Sequence, residues 1–196
     1  MRIILGLGNP GEKFQKTRHN LGFMTIDNLQ LTIDKFSDWK NIKKLQAEIS
    51  KGEINSQKVL LAKPLTFMNL SGQAVKKVVL SVKCQMSNVL VIHDDIDLPL
   101  GKIRIVKNRG SAGHKGVKSI IKEIETKNFV RFRIGIQPKF GKPKNPEKFV
   151  LQKFNKEEEK IVKEVIKKTV EAIELSLKSG LGKAQSTYNI CARPST

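Results

Sequence analysis

Short runs of apolar residues, separated by turn-forming residues, recur along the chain and predict β-strands. The segment RIILGL at residues 2–7 is apolar and ends at a Gly-Asn-Pro-Gly turn, which is typical of a buried strand. Residues 46–54 and 58–63 predict two paired strands around the polar stretch Asn-Ser-Gln. Residues 88–94 form a second buried run, and apolar and polar residues alternate at 102–107 and 131–136, which also predicts strands.

Apolar residues at helical spacing predict four longer helices between and after these strands, at residues 21–35, 70–82, 115–126 and 156–178. The last helix has the clearest boundaries. Asn155 can cap its first turn, acidic residues occupy that turn, and Gly180 follows its end. A short helix up to Tyr188 is predicted next. The segment 138–146 is rich in proline and lysine, so we predict a loop there.

Strands and helices interspersed in this way predict the α/β class, with a mixed, twisted β-sheet flanked by helices in three layers. A chain of 196 residues usually forms one domain, and no linker-like segment divides residues 1–196. No segment approaches the roughly 20 apolar residues of a membrane span, and the N-terminus has no secretory signal. Cys84 and Cys191 are too few for a disulfide framework. We therefore expect a cytoplasmic protein with reduced thiols and no membrane partner.

The charge balance adds a candidate class of partner. The chain has 37 Lys and Arg against 18 Asp and Glu, a formal net charge of +19. An excess of this size attracts polyanions, of which nucleic acid is the most common and an acidic membrane surface the second. A lysine-rich, solvated surface without any specific partner has the same composition, so charge alone does not decide between these alternatives.

One glycine pattern points to a different chemistry. Residues Gly6 to Gly11 follow a predicted strand and match the G-x-G-x-x-G pattern of dinucleotide-binding sites. Pro10, however, has no backbone N–H to offer a pyrophosphate, and no helix begins directly after the pattern. The next predicted strands also lack a terminal acidic residue for a ribose. A dinucleotide-dependent oxidoreductase is therefore a rival hypothesis, but a weak one.

The same residues, read with those that follow, carry a more specific signal. The string GLGNPGEKFQKTRHN resembles the opening of bacterial peptidyl-tRNA hydrolases, and three further blocks follow in the family's order: KPLTFMNLSG at 63–72, HDDIDLP at 93–99 and GSAGHKG at 110–116. RFRIGI and the residues FVL at 149–151 extend the resemblance over nearly the whole chain. It implies hydrolysis of the ester between a peptide and the 3′-terminal ribose of tRNA, by a cytoplasmic monomer without cofactor or metal.

The resemblance also assigns roles. Of the chain's three histidines, His19 occupies the place of the family's catalytic histidine, and imidazole is well suited to proton transfer near neutral pH. Asp94 matches the residue that orients this histidine. Asn9 is expected to position the water or the ester, and Asn69 to hydrogen-bond the peptide backbone. Met68 is expected to line the peptide groove, with ordinary core packing as the alternative.

The other two histidines and the acidic residues beside Asp94 receive plainer predictions. We predict His93 and His114 to be ordinary surface or packed histidines. Asp95 and Asp97 follow Asp94 closely, a cluster that also fits a magnesium site. The resemblance implies no metal, and Asp97 is predicted to be a turn or cap residue.

Two positions depart from the family's pattern. Phe14 stands where the family usually has Tyr, which removes a hydroxyl near the tRNA end of the site. Lys115 stands where Asn usually follows the histidine, and lysine donates hydrogen bonds but accepts none. Both are retained as candidate substrate-binding residues. These departures leave room for a second rival, a non-catalytic RNA-binding relative of the family.

Basic residues after the site blocks are candidates for contacts with tRNA phosphates, which give salt-dependent and largely sequence-independent affinity. The principal candidates are Arg104, Lys107, Arg133 and Lys142. Further candidates on the same strands and loops are Arg109, Lys118, Arg131, Lys139 and Lys144.

Overall fold

The computed structural model describes residues 1–189 and contains a seven-stranded β-sheet. Its strands are β1 (Arg2–Gly6), β2 (Lys40–Ile42), β3 (Ala47–Ile54), β4 (Gln57–Pro64), β5 (Val89–Pro99), β6 (Ile103–Lys107) and β7 (Val130–Gln137). The α-helices in this part of the chain are α1 (Leu21–Thr32), α2 (Ser71–Ser81), α3 (Lys115–Ile124), α4 (Pro146–Val150), α5 (Lys156–Ser179) and α6 (Leu181–Tyr188). The predicted α/β class is confirmed.

The sheet is mixed, with the strand order β2-β3-β4-β1-β5-β7-β6. Strand β1 pairs in parallel with β4 and β5, and β5 pairs in parallel with β7. The outer strands β2, β3 and β6 pair antiparallel with their neighbours. Parallel neighbours end at the same edge of a sheet, so the segments that follow β1 and β4 meet the end of β5 there.

Alternate residues of the central strands face two different layers of helices. Ile4 packs on the face that carries α1 and α5, whereas Ile3 and Leu5 pack on the face that carries α2 and α3. All three side chains are fully buried, as the two-residue period of a strand requires. This arrangement confirms the predicted three layers.

The predicted hairpin between β3 and β4 is present. Ile54 pairs with Gln57, so Asn55 and Ser56 form a two-residue turn. Both have positive φ angles, 48° and 62°, as the type I′ turn of a tight hairpin requires.

Several element boundaries differ from the predicted ones. Helix α1 stops at Thr32 because Ile33 is extended and packs against the core. Helix α3 ends at Ile124, where Glu125 adopts a left-handed conformation. Strand β5 continues through Asp95 to Pro99, with a register shift that lets it follow β7. Strand β2 was not predicted.

The C-terminal helices agree closely with the sequence pattern. The side chain of Asn155 accepts a hydrogen bond from the backbone of Glu158, whose carboxylate accepts one from the backbone of Asn155. This reciprocal capping box starts α5 at the predicted place. Helix α4 lies partly inside the predicted 138–146 loop, because Pro146 is compatible with a first helical turn and Asn145 caps it.

Two smaller expectations concern the membrane and the cysteines. Within residues 1–189, no helix is both long and apolar enough to cross a membrane. Cys84 is a partly buried free thiol. Cys191 lies outside the described residues.

Candidate active site

The residues predicted to carry the chemistry meet at the edge where the parallel strands end. Asn9 follows β1, Met68 and Asn69 follow β4, and Asp94 lies in β5. They border an open cavity of about 970 Å³. Its wall also includes His19, Phe14, Phe67, His114, Lys115, Lys142, Pro146, Glu147, Val150 and Leu151. The fold thus brings sequence-distant polar side chains into one concave site, as ligand-binding sites of α/β proteins commonly do.

His19 lies in a short 3₁₀ turn, Arg18–Asn20, directly before α1. Its Nδ1 atom is 3.0 Å from both carboxylate oxygens of Asp94. A carboxylate only accepts hydrogen bonds, so Nδ1 carries the proton in this contact. In neutral His19 the other ring nitrogen, Nε2, is therefore unprotonated. His19 is only 8% exposed, which limits its rotation.

Asp94 also holds a second histidine. The Nε2 atom of His114 lies 3.0 Å from Asp94 Oδ1, and the Nδ1 atom of His114 accepts the backbone N–H of Val117 at 3.3 Å. The second contact caps α3 and leaves Nε2 as the protonated nitrogen, so His114 donates to Asp94. His114 was predicted to be an ordinary surface or packed histidine, and this prediction was wrong, because His114 holds Asp94 and borders the cavity. Nothing in the local sequence around His114 signals this contact, because Asp94 is 20 residues away in the chain.

The charge state of Asp94 follows from these contacts. Burial by itself raises the pKa of its carboxyl, but His19 and His114 stabilise the ionised form more strongly. The net result holds the pKa of Asp94 far below its usual range, so the group is an anion at any physiological pH.

The pKa of His19 is set by burial, by Asp94 and by Lys115. Burial lowers the pKa of His19, whereas the charge and hydrogen bond of Asp94 raise it, and the positive charge of Lys115 again lowers it. The net pKa is above the ordinary value of 6.5. Asp94 therefore makes the free Nε2 atom of His19 a stronger proton acceptor than that of an isolated imidazole.

His93 is packed, which is one of the two alternatives predicted for it. It is fully buried, its Nδ1 atom is 2.7 Å from the backbone oxygen of Asp94, and its ring meets that of His114 edge-on at 4.5 Å. Burial, followed by the nearby His114 and Arg131, lowers the pKa of His93 well below its ordinary value. His93 thus remains neutral and supports the backbone and ring that hold Asp94.

Asn9 is oriented by two partners. Its Oδ1 atom accepts the backbone N–H of Met68 at 2.8 Å. Its backbone N–H donates to Asn20 Oδ1, and its backbone oxygen accepts from Asn20 Nδ2, both at 2.9 Å. The Nδ2 donor of Asn9 makes no hydrogen bond to any of residues 1–189, and Asn9 borders the cavity. Asn20, which follows the predicted base, was not recognised as a clamp from the sequence.

The other residues predicted to contact the substrate lie partly in the protein core and partly on the rim of the cavity. Met68 is 4% exposed and belongs to the core cluster beneath the cavity, so both the groove and the packing interpretations apply to it. Asn69 is exposed on the rim. Phe14 is partly buried in the wall, beneath the ammonium of Lys13.

The glycine pattern has a packing explanation. A Cβ atom on Gly6 would lie 2.5 Å from the backbone oxygen of Gly22 in α1. A Cβ atom on Gly8 would lie 2.6 Å from the ring of Phe23. These two glycines let α1 approach the end of β1, and Gly11 adopts a φ of 102° that favours glycine, so the pattern is accounted for without a phosphate ligand.

The acidic cluster does not converge on one point. Asp95 accepts from Arg133 Nε at 2.5 Å and from the backbone of Asp97. The side chain of Asp97, predicted to cap a turn, instead pairs with Lys142 at 2.6 Å. The group with metal-ligating potential in the described chain is His19, Asp94 and His114, whose donor atoms lie within 4.8 Å of one another. Both histidines already hydrogen-bond to Asp94.

Most of the basic candidates are exposed, but Arg131 is not. It is 2% exposed and donates to the backbone oxygen of Gly110 at 2.7 Å, and burial lowers its pKa to about 10. Its predicted tRNA contact is therefore wrong. Arg104 and Lys107 are exposed on β6, whereas the Arg133 side chain is 15% exposed and held by Asp95.

Lys115 points its ammonium across the mouth of the cavity. Its Nζ atom lies 2.8 Å from Glu147 Oε1, and both side chains are largely exposed. This ion pair joins the start of α3 to α4 and places a cation in the wall of the site.

Comparison with known proteins adds independent findings. The profile of the peptidyl-tRNA hydrolase family matches residues 3–195. A peptidyl-tRNA hydrolase of Thermodesulfovibrio yellowstonii is 43% identical over 195 residues, covering 96% of this chain and 99% of the relative. One from Aquifex aeolicus is 44% identical over 183 residues, covering 90% and 92%. The crystal structure of peptidyl-tRNA hydrolase from Acinetobacter baumannii is similar at a TM-score of 0.88 and 31% identity, over 96% and 94% of the two chains.

Proposed function

Because the chain belongs to the peptidyl-tRNA hydrolase family, we propose that its hydrolysis of peptidyl-tRNA depends on His19 as a general base. His19 Nε2 takes a proton from a water molecule, whose oxygen attacks the carbonyl carbon of the ester. The bond from that carbon to the ribose oxygen then breaks, and the proton passes to the ribose oxygen. The products are a free peptide and tRNA, which is thereby recycled during translation.

One observation carries this proposal: the contact of His19 Nδ1 with both oxygens of an ionised Asp94. This contact sets the tautomer that leaves Nε2 free, and the negative charge stabilises the imidazolium that forms when the water is deprotonated. It is the base-and-orienter half of a catalytic triad. Among residues 1–189, His19 hydrogen-bonds only to Asp94, so water is the nucleophile that the arrangement favours. A non-catalytic RNA-binding relative, the alternative function, would not require the contact between His19 and Asp94.

Asn9 and Asn69 supply polar contacts around the reacting bond. The Oδ1 atom of Asn9 already accepts the backbone N–H of Met68, so the Nδ2 group of Asn9 is the donor that remains for a ligand in the cavity. We assign this donor to the water or the developing oxyanion. A well-placed donor of this kind contributes about 3 kcal/mol to lowering a barrier. The exposed Asn69 would hydrogen-bond the peptide backbone above Met68.

The tRNA surface would extend from the cavity over β6 and the loop before α4. Lys142 borders the cavity, and Arg104 and Lys107 lie on the neighbouring edge strand. Arg133 pairs with Arg104 in the β6–β7 ladder and contributes positive charge at the base of this surface. Phosphates would compete with Asp97 for Lys142, because exposed ion pairs of this type are weak. Phe14 and Lys115 would contact the tRNA end and the peptide from opposite walls.

Family resemblance also supports a monomeric enzyme that acts in the cytoplasm without a cofactor.

The test is release of tRNA from N-acetyl-aminoacyl-tRNA by the natural protein and by His19→Asn. Asparagine can still donate to Asp94 but cannot accept the proton of water. We expect release to collapse in His19→Asn while tRNA affinity is retained. Gln15→Ala, an exposed change in the same loop, is the matched control and should behave like the natural protein. Tight tRNA binding without release by the natural protein would refute the catalytic role.

A further inference from the structure

Arg18, the residue directly before His19, is a buried cation that the proposed reaction does not use. It is 5% exposed. Its guanidinium lies between two aromatic rings, with Cζ 4.3 Å from the centroid of Phe149 and 4.7 Å from that of Phe154. Its Nη2 atom donates to Glu158 Oε2 at 2.7 Å. The arrangement combines a cation–π sandwich with one charged hydrogen bond.

Stability alone explains this residue poorly. The Nε and Nη1 atoms of Arg18 are buried and have no hydrogen-bond partner among residues 1–189. Leaving a buried donor unpaired costs free energy, and a buried ion pair is often no better for stability than apolar residues of similar volume. A methionine would fill the space between Phe149 and Phe154 without that cost. The position of the arginine therefore points to a requirement of the site.

The turn that carries His19 is held at both of its ends. On one side, the backbone N–H of Arg18 donates to Gln152 at 3.0 Å, and Thr17 forms a β-bridge with Lys153. On the other side, Asn20 makes its two hydrogen bonds to the backbone of Asn9. His19 is the middle residue of this clamped turn, so the direction of its ring depends on both attachments.

The partners of Arg18 belong to α4, which forms part of the cavity wall, and to the segment that leads into α5. Phe149 lies in α4, and the adjacent Val150 and Leu151 border the cavity. Glu158 is the capping-box residue of α5, where its carboxylate also accepts the backbone N–H of Asn155. One guanidinium thus joins the wall formed by α4, the start of α5 and the turn that carries the base.

We propose that Arg18 is a positioning residue, which locks the α4 wall and the His19 turn into one rigid unit and so holds the base in line with Asp94 and the bound ester. This inference rests on the proposed role of His19. Arg18 itself touches no reacting atom. Its effect is on alignment, and a misplacement of about 1 Å at a reacting group can cost on the order of 100-fold in rate.

The test compares Arg18→Met with the double variant Arg18→Met/Glu158→Gln. The single change leaves Glu158 without its charged partner and could lower stability. The double change removes both charges together, so the fold is expected to persist. We expect kcat of the folded double variant to fall by about 10- to 100-fold, with a smaller change in KM. Arg18→Lys keeps the charge near Glu158 but loses the planar stack, so it should restore only part of kcat.

A second measurement separates alignment from stability. The ring nitrogens of His19 are followed by ¹H–¹⁵N NMR, where loss of alignment is expected to change the signal of the proton shared with Asp94. Val170→Ala, which removes buried methyl groups from α5 more than three turns beyond Glu158, is the matched control. It should lower the unfolding temperature while leaving the His19 signal and kcat of the folded protein unchanged.

The outcomes are distinct. A folded double variant with the natural kcat and an unchanged His19 signal overturns the proposal. A loss of rate that only follows the unfolded fraction, as in Val170→Ala, also overturns it. If the natural protein itself releases no tRNA, the proposed function fails. The NMR comparison would then still report whether Arg18 positions His19.

Discussion

Replacing Asp94 by asparagine tests the geometry of the site most directly. Asp94 Oδ1 accepts from His114 Nε2, and the tautomer of His114 is set by the backbone N–H of Val117. The oxygen of the new amide must therefore stay with His114. Its NH₂ group then takes the place of Oδ2, 3.0 Å from His19 Nδ1, and needs an acceptor there, which favours the tautomer of His19 with the proton on Nε2. The base loses its lone pair although the shape of the site is preserved.

The size of the effect follows from that tautomer change and from the lost charge. An equivalent change in a serine-protease triad lowers kcat by about 10⁴-fold. Here the buried carboxylate contacts His19 through both oxygens at 3.0 Å, so we expect a loss of kcat of about 10³- to 10⁴-fold. This corresponds to about 4–5.5 kcal/mol of transition-state stabilisation.

Single-turnover release of tRNA from N-acetyl-aminoacyl-tRNA measures this loss, with tRNA affinity determined in parallel. Affinity should change by less than about threefold, on the order of 0.6 kcal/mol, because Asp94 is buried and paired with His19 and His114. Asp34→Asn, which neutralises an exposed carboxylate far along the chain, is the control and should retain full activity. If Asp94→Asn keeps more than a tenth of the natural kcat, the tautomer argument is wrong.

Two further predictions concern pH and salt. Because His19 must be unprotonated to act, kcat/KM should rise with pH through the pKa of His19, which Asp94 places above 6.5. Since the charge of Lys115 lowers that pKa, Lys115→Met should move the rise to still higher pH. A pH–rate profile that shifts to lower pH in this variant would contradict the assignment. Lys142→Gln should weaken tRNA binding and reduce the steepness of log affinity against log salt by about 1, without changing single-turnover kcat. The control Lys167→Gln, on α5, should leave this slope unchanged. Equal slopes for the natural protein and both variants would place the tRNA elsewhere.

Much of the fold was accessible from local patterns. The strands, the α5 helix and the hairpin before β4 depend on the spacing of apolar residues and on the chemistry of a few caps and turns, all of which are local in sequence. The errors in the predicted element boundaries occur where contacts between residues distant in the sequence determine the structure. Strand β2 is three residues long and exists because β3 offers it an edge. The extension of β5 to Pro99 depends on pairing with β7.

The site shows the same division. The resemblance placed Asn9, His19, Asn69 and Asp94 together, and the structure brings all four to one cavity. It gave no reason to include His114, because a histidine in a glycine-rich segment has no local property that reveals a contact with Asp94. Arg131 was the opposite case, since its strand pattern alternates like that of Arg133 but its side chain points into the protein.

The sequence by itself thus determined the class of fold, the helix boundaries set by caps, the family and the chemistry that the family performs. Those properties reside in side-chain periodicity and in short motifs, which are readable one segment at a time. Only the tertiary structure decided the tautomers of His19 and His114, the ionisation of Asp94 and the burial of Arg18 and Arg131. Each of these depends on the distance between groups far apart in the chain and on the exclusion of water around them, and no local pattern encodes either quantity.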